Sequence, residues 1–314
     1  MSVRPQRVRL VEVGPRDGLQ NEAVPVTAET KIELVRRLAA TGLDTIEATA
    51  FVSPKWVPQM ADADAVMSAL SAARTAGTPS PRYSVLTPNL RGFERALAAG
   101  ADEVAVFAAA SESFSQRNIN CSIAESLDRF APVLQAAAAA NVPVRGYVSC
   151  VVGCPYEGAV APAAVADVAQ RLADLGCHEI SLGDTIGTGH PDSIRHMLEA
   201  VLARVPADRL AGHYHDTWGM AIANIVASLE MDVAVFDASV GGLGGCPYAA
   251  GATGNVATED VVWLLDGLGI PTGVALAPLV DTAAWISRQL GREPASRVAR
   301  AWLAREPSPS AAVQ

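Results

Sequence analysis

The sequence predicts an α/β protein of the (β/α)8 barrel class, and two observations carry this prediction. Eight short apolar runs recur along the chain, and an amphipathic helical pattern follows each of them. Strict alternation of strand and helix gives parallel strands with helices outside, and eight such units can close a barrel. A doubly wound open sheet is the alternative, but it often has a glycine-rich phosphate turn after its first strand. This chain has Gly14-Pro15-Arg16-Asp17-Gly18 there.

The elements can be placed in order from these patterns. The predicted strands are 8–13, 45–51, 83–87, 103–107, 144–150, 179–182, 210–215 and 234–240. The predicted helices are 30–40, 61–76, 90–99, 122–140, 161–175, 191–205, 217–231 and 258–268. Gly42, Gly100 and Gly176 precede three strands and suit helix C-termini. We expect one domain over 1–305, with the barrel at about 8–270, extra C-terminal helices at 275–305 and a disordered tail at 306–314.

Composition limits the classes of function. Half of the 314 residues are hydrophobic and the formal net charge is −9, which argues against nucleic acid or an anionic membrane as the main partner. An anionic substrate would then need a local cation or arginine. No apolar run reaches membrane-spanning length and no signal peptide is evident. The five cysteines are scattered and odd in number, which favours a reducing compartment, and we expect the cytoplasm.

The barrel prediction requires reactive side chains to follow the strands, because chemistry on this fold occurs at the strands' C-terminal ends. Unusual residues do occur there: Arg16, Asp17, Glu47, Asp184, His213, His215 and a glycine-rich stretch, 241–248, that leads to Asn255.

A metal site is the first hypothesis from these residues. His213 and His215 lie two apart on a predicted strand and so point the same way. Alone, the pair could equally be two hydrogen-bonded strand histidines. With the carboxylate of Asp17 and the amide of Asn255 they form a nitrogen and oxygen donor set suited to Mg²⁺, Mn²⁺ or Co²⁺. Four protein ligands in an octahedral shell leave two positions for a chelating substrate.

Three further residues suggest catalysis. Arg16 could stabilise a developing oxyanion such as a thioester enolate, or form a surface salt bridge. Glu47 lies in an apolar strand and needs a buried partner, for which Arg16 is the candidate. Cys246 lies in a glycine-rich loop that could present its thiol, although a buried packing role is the alternative.

Several stretches resemble hydroxymethylglutaryl-CoA lyases, members of the DRE-TIM metallolyase superfamily of TIM-barrel enzymes. They are 11–22, 51–60, 146–150, 153–158, 181–187 and 241–248, and the resemblance extends over about 8–292. It implies a homodimer that cleaves the acyl-CoA 3-hydroxy-3-methylglutaryl-CoA into acetyl-CoA and acetoacetate, in leucine degradation and ketone body formation. Trp218 and Met220 depart from the tyrosine and glutamine usual in the family and leave substrate preference open.

The resemblance also implies roles by motif position. The implied ligands of Mg²⁺ or Mn²⁺ are Asp17, His213, His215 and Asn255. The residues in or beside catalysis are Arg16, Asp17, Glu47, Asp184, His213 and Cys246, with Arg16 also binding substrate. The hypothesis is a retro-Claisen cleavage in which Arg16 stabilises the enolate and Cys246 protonates it, with Asp17 or His213 as base.

Three other functions remain open from the sequence. One is a lyase for a longer-branched 3-hydroxyglutaryl-CoA. Another is a condensing synthase of the isopropylmalate, citramalate or homocitrate type, which usually has a long C-terminal extension and lacks this cysteine loop. The last is a barrel that serves only as a binding module, which would not require the rim residues to be intact.

Overall fold

Eight parallel strands close into a barrel in the computed structural model, which describes residues 4–74, 80–245 and 254–305. The barrel strands β1 to β8 are Arg9–Glu12, Thr45–Ala50, Arg82–Leu86, Glu103–Ala109, Val144–Ser149, Glu179–Asp184, Leu210–Tyr214 and Val235–Ala238. Each strand pairs with its neighbours in sequence, and β1 also pairs with β8 through Arg9 and Val235. The predicted (β/α)8 TIM barrel is confirmed.

Helices surround this barrel and continue beyond it. Helices α1 to α11 are Ala28–Ala39, Ala63–Ala72, Leu90–Ala98, Glu112–Ile119, Ile123–Ala139, Pro162–Leu175, Pro191–Leu202, Ala221–Leu229, Thr258–Gly267, Leu276–Gln289 and Arg297–Leu303. The last two are the predicted C-terminal helices. No helix in the described ranges is long and apolar enough to cross a bilayer.

Helix boundaries differ from the predicted ones where local hydrogen bonds intervene. The helix predicted at 217–231 begins only at Ala221, whose N–H donates to the Asp216 carboxylate at 3.0 Å. Helix α4 was not predicted, and neither was a small hairpin of Gly153–Cys154 and Gly158–Ala159. Both are too short to give a periodic signal.

Packing explains why the strands are almost uniformly apolar. Helices cover the outside of the barrel and side chains fill its inside, so all six residues of β2 are buried. Charged side chains are nevertheless enclosed within it, among them Glu47, Arg145 and Asp237. Gly42, Gly100 and Gly176 have φ of +94°, +83° and +109°, the left-handed conformation expected after a helix.

The C-terminal helices are tied to the barrel at both ends of α10. Before it, the N–H of Ala275 donates to the Thr41 carbonyl at 2.8 Å. After it, the N–H of Ala295 donates to the Gly241 carbonyl at 2.9 Å. The second bond lies at the start of the glycine-rich loop after β8. The helices therefore support the rim on which the predicted site lies.

Candidate metal and active site

A single π-helical turn, Gly14–Gly18, follows β1 and holds Arg16 and Asp17 at the rim. The N–H of Gly18 donates to the Val13 carbonyl five residues earlier, at 3.1 Å. Such turns are rare and concentrate at functional sites, since they redirect side chains that an α-helical turn would space regularly. Here the turn places two consecutive charged side chains in contact with each other at the rim, since Arg16 Nη1 donates to Asp17 Oδ1.

Arg16 is buried among charged and aromatic partners. Its Nε donates to Glu47 Oε2 and its Nη1 to Asp17 Oδ1, both at 2.7 Å, and the guanidinium lies 5.5 Å from the centre of the Tyr147 ring. Burial alone would lower the pKa of Arg16, but Glu47 and Asp17 raise it, so the guanidinium stays charged. The predicted pairing of Arg16 with Glu47 is confirmed. Burial raises the pKa of Glu47, and Arg16 offsets this only in part.

The two histidines lie side by side, as their spacing predicted. His213 is in β7 and His215 directly follows it; both are buried, with ring centres 5.3 Å apart. The Nδ1 of His213 lies 3.0 Å from Asp237 Oδ2, and its Nε2 lies 3.8 Å from Asp17 Oδ2. Burial and the neighbouring His213 lower the pKa of His215 to about 4, so this ring is neutral at physiological pH. A neutral imidazole is the form that binds a metal.

Asp17 and Asn255 complete the cluster from opposite ends of the chain. The Nδ2 of Asn255 donates to Asp17 Oδ2 at 2.7 Å, and the backbone of Asn255 bridges to that of His215. Burial would raise the pKa of Asp17, but Arg16 and His213 lower it to about 2. Asp17 is therefore a carboxylate at any physiological pH.

These residues fit a divalent cation. Asp17, His213 and His215 each offer a ligand atom, and the three atoms lie within 4.8 Å of one another. The Nδ1 of His215 is buried and has no hydrogen-bond partner among the described residues, which is unfavourable unless the ring has another role. With the adjacent Asn255 amide, the donor set has the mixed nitrogen and oxygen character that Mg²⁺ and Mn²⁺ accept.

Asp184, at the end of β6, is held by its own loop. It accepts from the N–H of Thr188 at 3.2 Å and of Gly189 at 2.8 Å. Burial raises its pKa to about 6 despite these bonds. The carboxylate thus shapes the loop after β6, and its place in or beside catalysis stays a prediction.

Cys246 lies outside the described residues, but both ends of its segment are described. The ends touch: a Cβ built on Gly254 would lie 2.5 Å from the Gly244 carbonyl carbon. Gly254 also has φ of +80°, so both the contact and the backbone conformation require glycine. Gly244 and Gly254, which flank this segment, are therefore in close contact immediately before Asn255.

Two buried carboxylates hold the start of this segment. Glu12 accepts from the N–H of Val240 at 2.9 Å, and Glu259 from the N–H of Gly241 at 2.9 Å. Burial raises the pKa of Glu12 to about 7 and that of Glu259 to about 8. These hydrogen bonds anchor the backbone of Val240 and Gly241, shortly after β8.

Sequence reasoning missed three residues of the site: Arg145, Tyr147 and Asp237. Asp237 contacts His213, and the guanidinium groups of Arg16 and Arg145 lie 5.5 and 5.0 Å from the centre of the Tyr147 ring. A signal was available, since Arg145 and Asp237 are charged residues within predicted strands. The reasoning that gave Glu47 a buried partner applies equally to them.

A cleft of about 400 Å³ adjoins the cluster at Asn255. Its lining includes Trp218, Ala257, Ala295 and Arg297. Trp218 is 69% exposed, which is unusual for tryptophan and places an apolar surface at the rim. The cleft provides space beside Asn255, whereas Asp17, His213 and His215 do not line it.

Comparison with known proteins identifies relatives over almost the whole chain. The family model described as HMGL-like matches residues 7–286. The mitochondrial hydroxymethylglutaryl-CoA lyase of Gallus gallus is 58% identical over 297 residues, covering 95% of this chain and 98% of that protein. The 3-hydroxy-3-isohexenylglutaryl-CoA/hydroxy-methylglutaryl-CoA lyase of Pseudomonas aeruginosa is 59% identical over 301 residues, covering 96% and 99%.

Solved structures agree with this result. The crystal structure of hydroxymethylglutaryl-CoA lyase from Pseudomonas aeruginosa superposes with a TM-score of 0.92 at 59% identity, covering 96% of this chain and 99% of that one. A lyase of the same name from Acinetobacter baumannii, in complex with coenzyme A and 3-methylmalate, gives a TM-score of 0.89 at 33% identity, with 98% and 99% covered.

Proposed function

This chain belongs to the HMGL-like family, and from that premise we propose that it is a hydroxymethylglutaryl-CoA lyase. It cleaves 3-hydroxy-3-methylglutaryl-CoA into acetyl-CoA and acetoacetate. The observation that carries the proposal is that relatives of this name match the chain at 55–59% identity over nearly its full length. The cluster of Asp17, His213 and His215 at the strand ends supplies a site for such chemistry.

The site residues have two roles: some would bind a cation, and others stabilise the negative charge that develops on the substrate. Asp17, His213, His215 and Asn255 would hold Mg²⁺ or Mn²⁺. The bound cation would supply Lewis acidity, which lowers the pKa of a hydroxyl ligated to it. The C3 hydroxyl of the substrate loses its proton and the C2–C3 bond breaks. One product is the ketone acetoacetate, and the other is the enolate of the acetyl thioester.

Arg16 is suited to stabilise that enolate. Glu47 and Asp17 fix two of its nitrogens, so the guanidinium is oriented before the substrate arrives. Preoriented charge of this kind stabilises a transition state without a reorganisation cost. We assign Cys246 as the donor of the proton to C2, which yields acetyl-CoA. Asp17 or His213 is the base.

The test is a steady-state assay with 3-hydroxy-3-methylglutaryl-CoA that measures acetoacetate and acetyl-CoA together. We expect equimolar products with added Mg²⁺ or Mn²⁺, loss of activity with a chelator, and recovery when either metal is restored. Asp17→Asn should abolish turnover. Glu103→Gln, which alters a buried carboxylate at the opposite end of the barrel, serves as the matched control. No acetoacetate with either metal would refute the proposal.

A lyase for longer-branched substrates is the second candidate. The Pseudomonas aeruginosa relative named for both 3-hydroxy-3-isohexenylglutaryl-CoA and the methyl compound favours it. The exposed Trp218 beside the cleft offers an apolar surface for a longer branch. Comparing kcat/KM for the two thioesters decides between a specific and a broad lyase. A cleavage rate for the longer substrate below detection would exclude this candidate.

Three finer proposals accompany the reaction. We propose that the protein is a homodimer, which light scattering after gel filtration would test. We propose the cytoplasm as its compartment, testable by cell fractionation, although the Gallus gallus relative is named as mitochondrial. We propose cleavage rather than condensation, so incubation with acetyl-CoA and 2-oxo acids should give no condensed product.

A further inference from the structure

A buried chain of charges runs through the barrel interior to His213. Arg145, 1% exposed, donates through Nη1 and Nη2 to the two oxygens of Asp237, at 3.0 and 2.6 Å. Its Nε donates to Glu179 at 2.7 Å. A bidentate pair of this kind fixes the plane of the carboxylate as well as its position. Arg145 therefore fixes the orientation of the Asp237 carboxylate.

Asp237 also accepts hydrogen bonds from Ser181 and from His213 of the candidate site. Its Oδ2 lies 2.8 Å from Ser181 Oγ, which donates to it, and 3.0 Å from His213 Nδ1. In a neutral imidazole one nitrogen is the donor and the other the acceptor. Since a carboxylate only accepts, Nδ1 must carry the proton. The lone pair then lies on Nε2, the nitrogen 3.8 Å from Asp17.

We propose that Asp237, held by Arg145, is a positioning residue that fixes the orientation and tautomer of His213 so that Nε2 faces the cation. The proposal rests on the metal-dependent function proposed above. It assigns Asp237 no contact with substrate. Its effect passes through His213, and the role of Arg145 is to hold the carboxylate in the plane of that hydrogen bond. Carboxylates beside ligating histidines commonly contribute 10–100-fold to metal affinity.

The chain offers a matched pair for comparison. At the other end of the barrel, Nε2 of His178 lies 3.0 Å from Glu103 Oε2, the same distance as in the His213–Asp237 pair. Glu103 is also buried. His178 is not part of the candidate metal cluster, so neutralising Glu103 tests the general cost of removing a buried carboxylate from a histidine.

The experiment measures Mn²⁺ binding to metal-free protein by titration calorimetry or electron paramagnetic resonance, without substrate. Asp237→Asn is nearly isosteric, but its amide can donate to Nδ1 and so favours the tautomer with the proton on Nε2. We expect its Kd for Mn²⁺ to rise roughly 10–100-fold, and that of Glu103→Gln to stay close to wild type. Equal Kd values for Asp237→Asn and wild type would overturn the proposal.

A second measurement reads the tautomer directly. Imidazole ¹⁵N chemical shifts at alkaline pH should show the proton on Nδ1 of His213 in the wild type and on Nε2 in Asp237→Asn. If the variant does not fold, the wild-type spectrum alone still decides, because a proton on Nε2 would overturn the inference. Wild-type protein that binds Mn²⁺ yet releases no acetoacetate would refute the proposed function and leave this inference standing.

Discussion

Replacing Glu259 by Gln should change how the stability of this protein depends on pH. Glu259 is fully buried near the start of α9, and it accepts from the N–H of Gly241. Burial raises its pKa to about 8, from the ordinary value of 4.5 for a glutamate. Between these two values the folded state holds a proton that the unfolded state has released. The contribution of Glu259 to stability is therefore greatest below its pKa in the unfolded state, and it is lost as the pH rises through its pKa in the folded state.

The magnitude follows from the width of that window. From pH 5 to pH 8, ionisation of Glu259 lowers the free energy of unfolding of the wild type by about 1.4 kcal/mol per pH unit, or roughly 4 kcal/mol in total. Glutamine accepts the same hydrogen bond but does not titrate. The free energy of unfolding of Glu259→Gln, relative to wild type, should rise by that amount across the window. Urea denaturation at both pH values measures it.

The control for this prediction is Glu29→Gln. Glu29 is also the second residue of its helix, α1, but it is exposed, and the pKa of its carboxyl is lowered rather than raised. Its variant should show no gain in stability as pH rises. If the stability difference between Glu259→Gln and wild type is the same at pH 5 and pH 8, burial does not raise the pKa of Glu259 and the reasoning fails.

Three further predictions concern the site. Arg16→Lys should lower kcat roughly 100-fold or more, because lysine cannot reproduce the fork that Glu47 and Asp17 orient; a near-normal kcat would contradict that role. Cys246→Ser should lower turnover roughly 100-fold or more with metal content unchanged, since a serine hydroxyl is a far weaker acid; wild-type turnover would remove the proton-donor role. Gly254→Ala should destabilise the protein by about 1–3 kcal/mol and weaken Mn²⁺ binding through Asn255; unchanged stability and Kd would show that the contact with Gly244 is not constrained.

Much of the fold followed from the sequence because parallel barrels have a regular pattern. The strand and helix alternation gave all eight strands, each within two residues of its observed ends. The two-residue spacing of His213 and His215 placed both rings on one face, and the apolar surroundings of Glu47 indicated its partner. These inferences rest on the spacing and type of neighbouring residues, which can be read directly from the sequence.

The rest depends on contacts between distant segments. Nothing near Asp237 in the sequence indicates Arg145, 92 positions away, or shows that their pair would orient His213. The π-helical turn after β1 is set by a close fit against the neighbouring loop, where a Cβ on Gly18 would lie 2.8 Å from Leu243. The roles of Asp184 and Cys246 stay predictions, since the first is held by its loop and the second lies outside the described residues.

The contact between Asp17 and Asn255 has a consequence for biosynthesis. These residues are 238 positions apart and meet at the seam where β1 joins β8. Contacts of such separation carry the largest chain-closure entropy and cannot form before both segments exist. A chain that stops before residue 255 lacks one candidate ligand, and a chain that stops before β8 also lacks the strand that closes the barrel. The set of candidate ligands is therefore complete only after synthesis has passed Asn255.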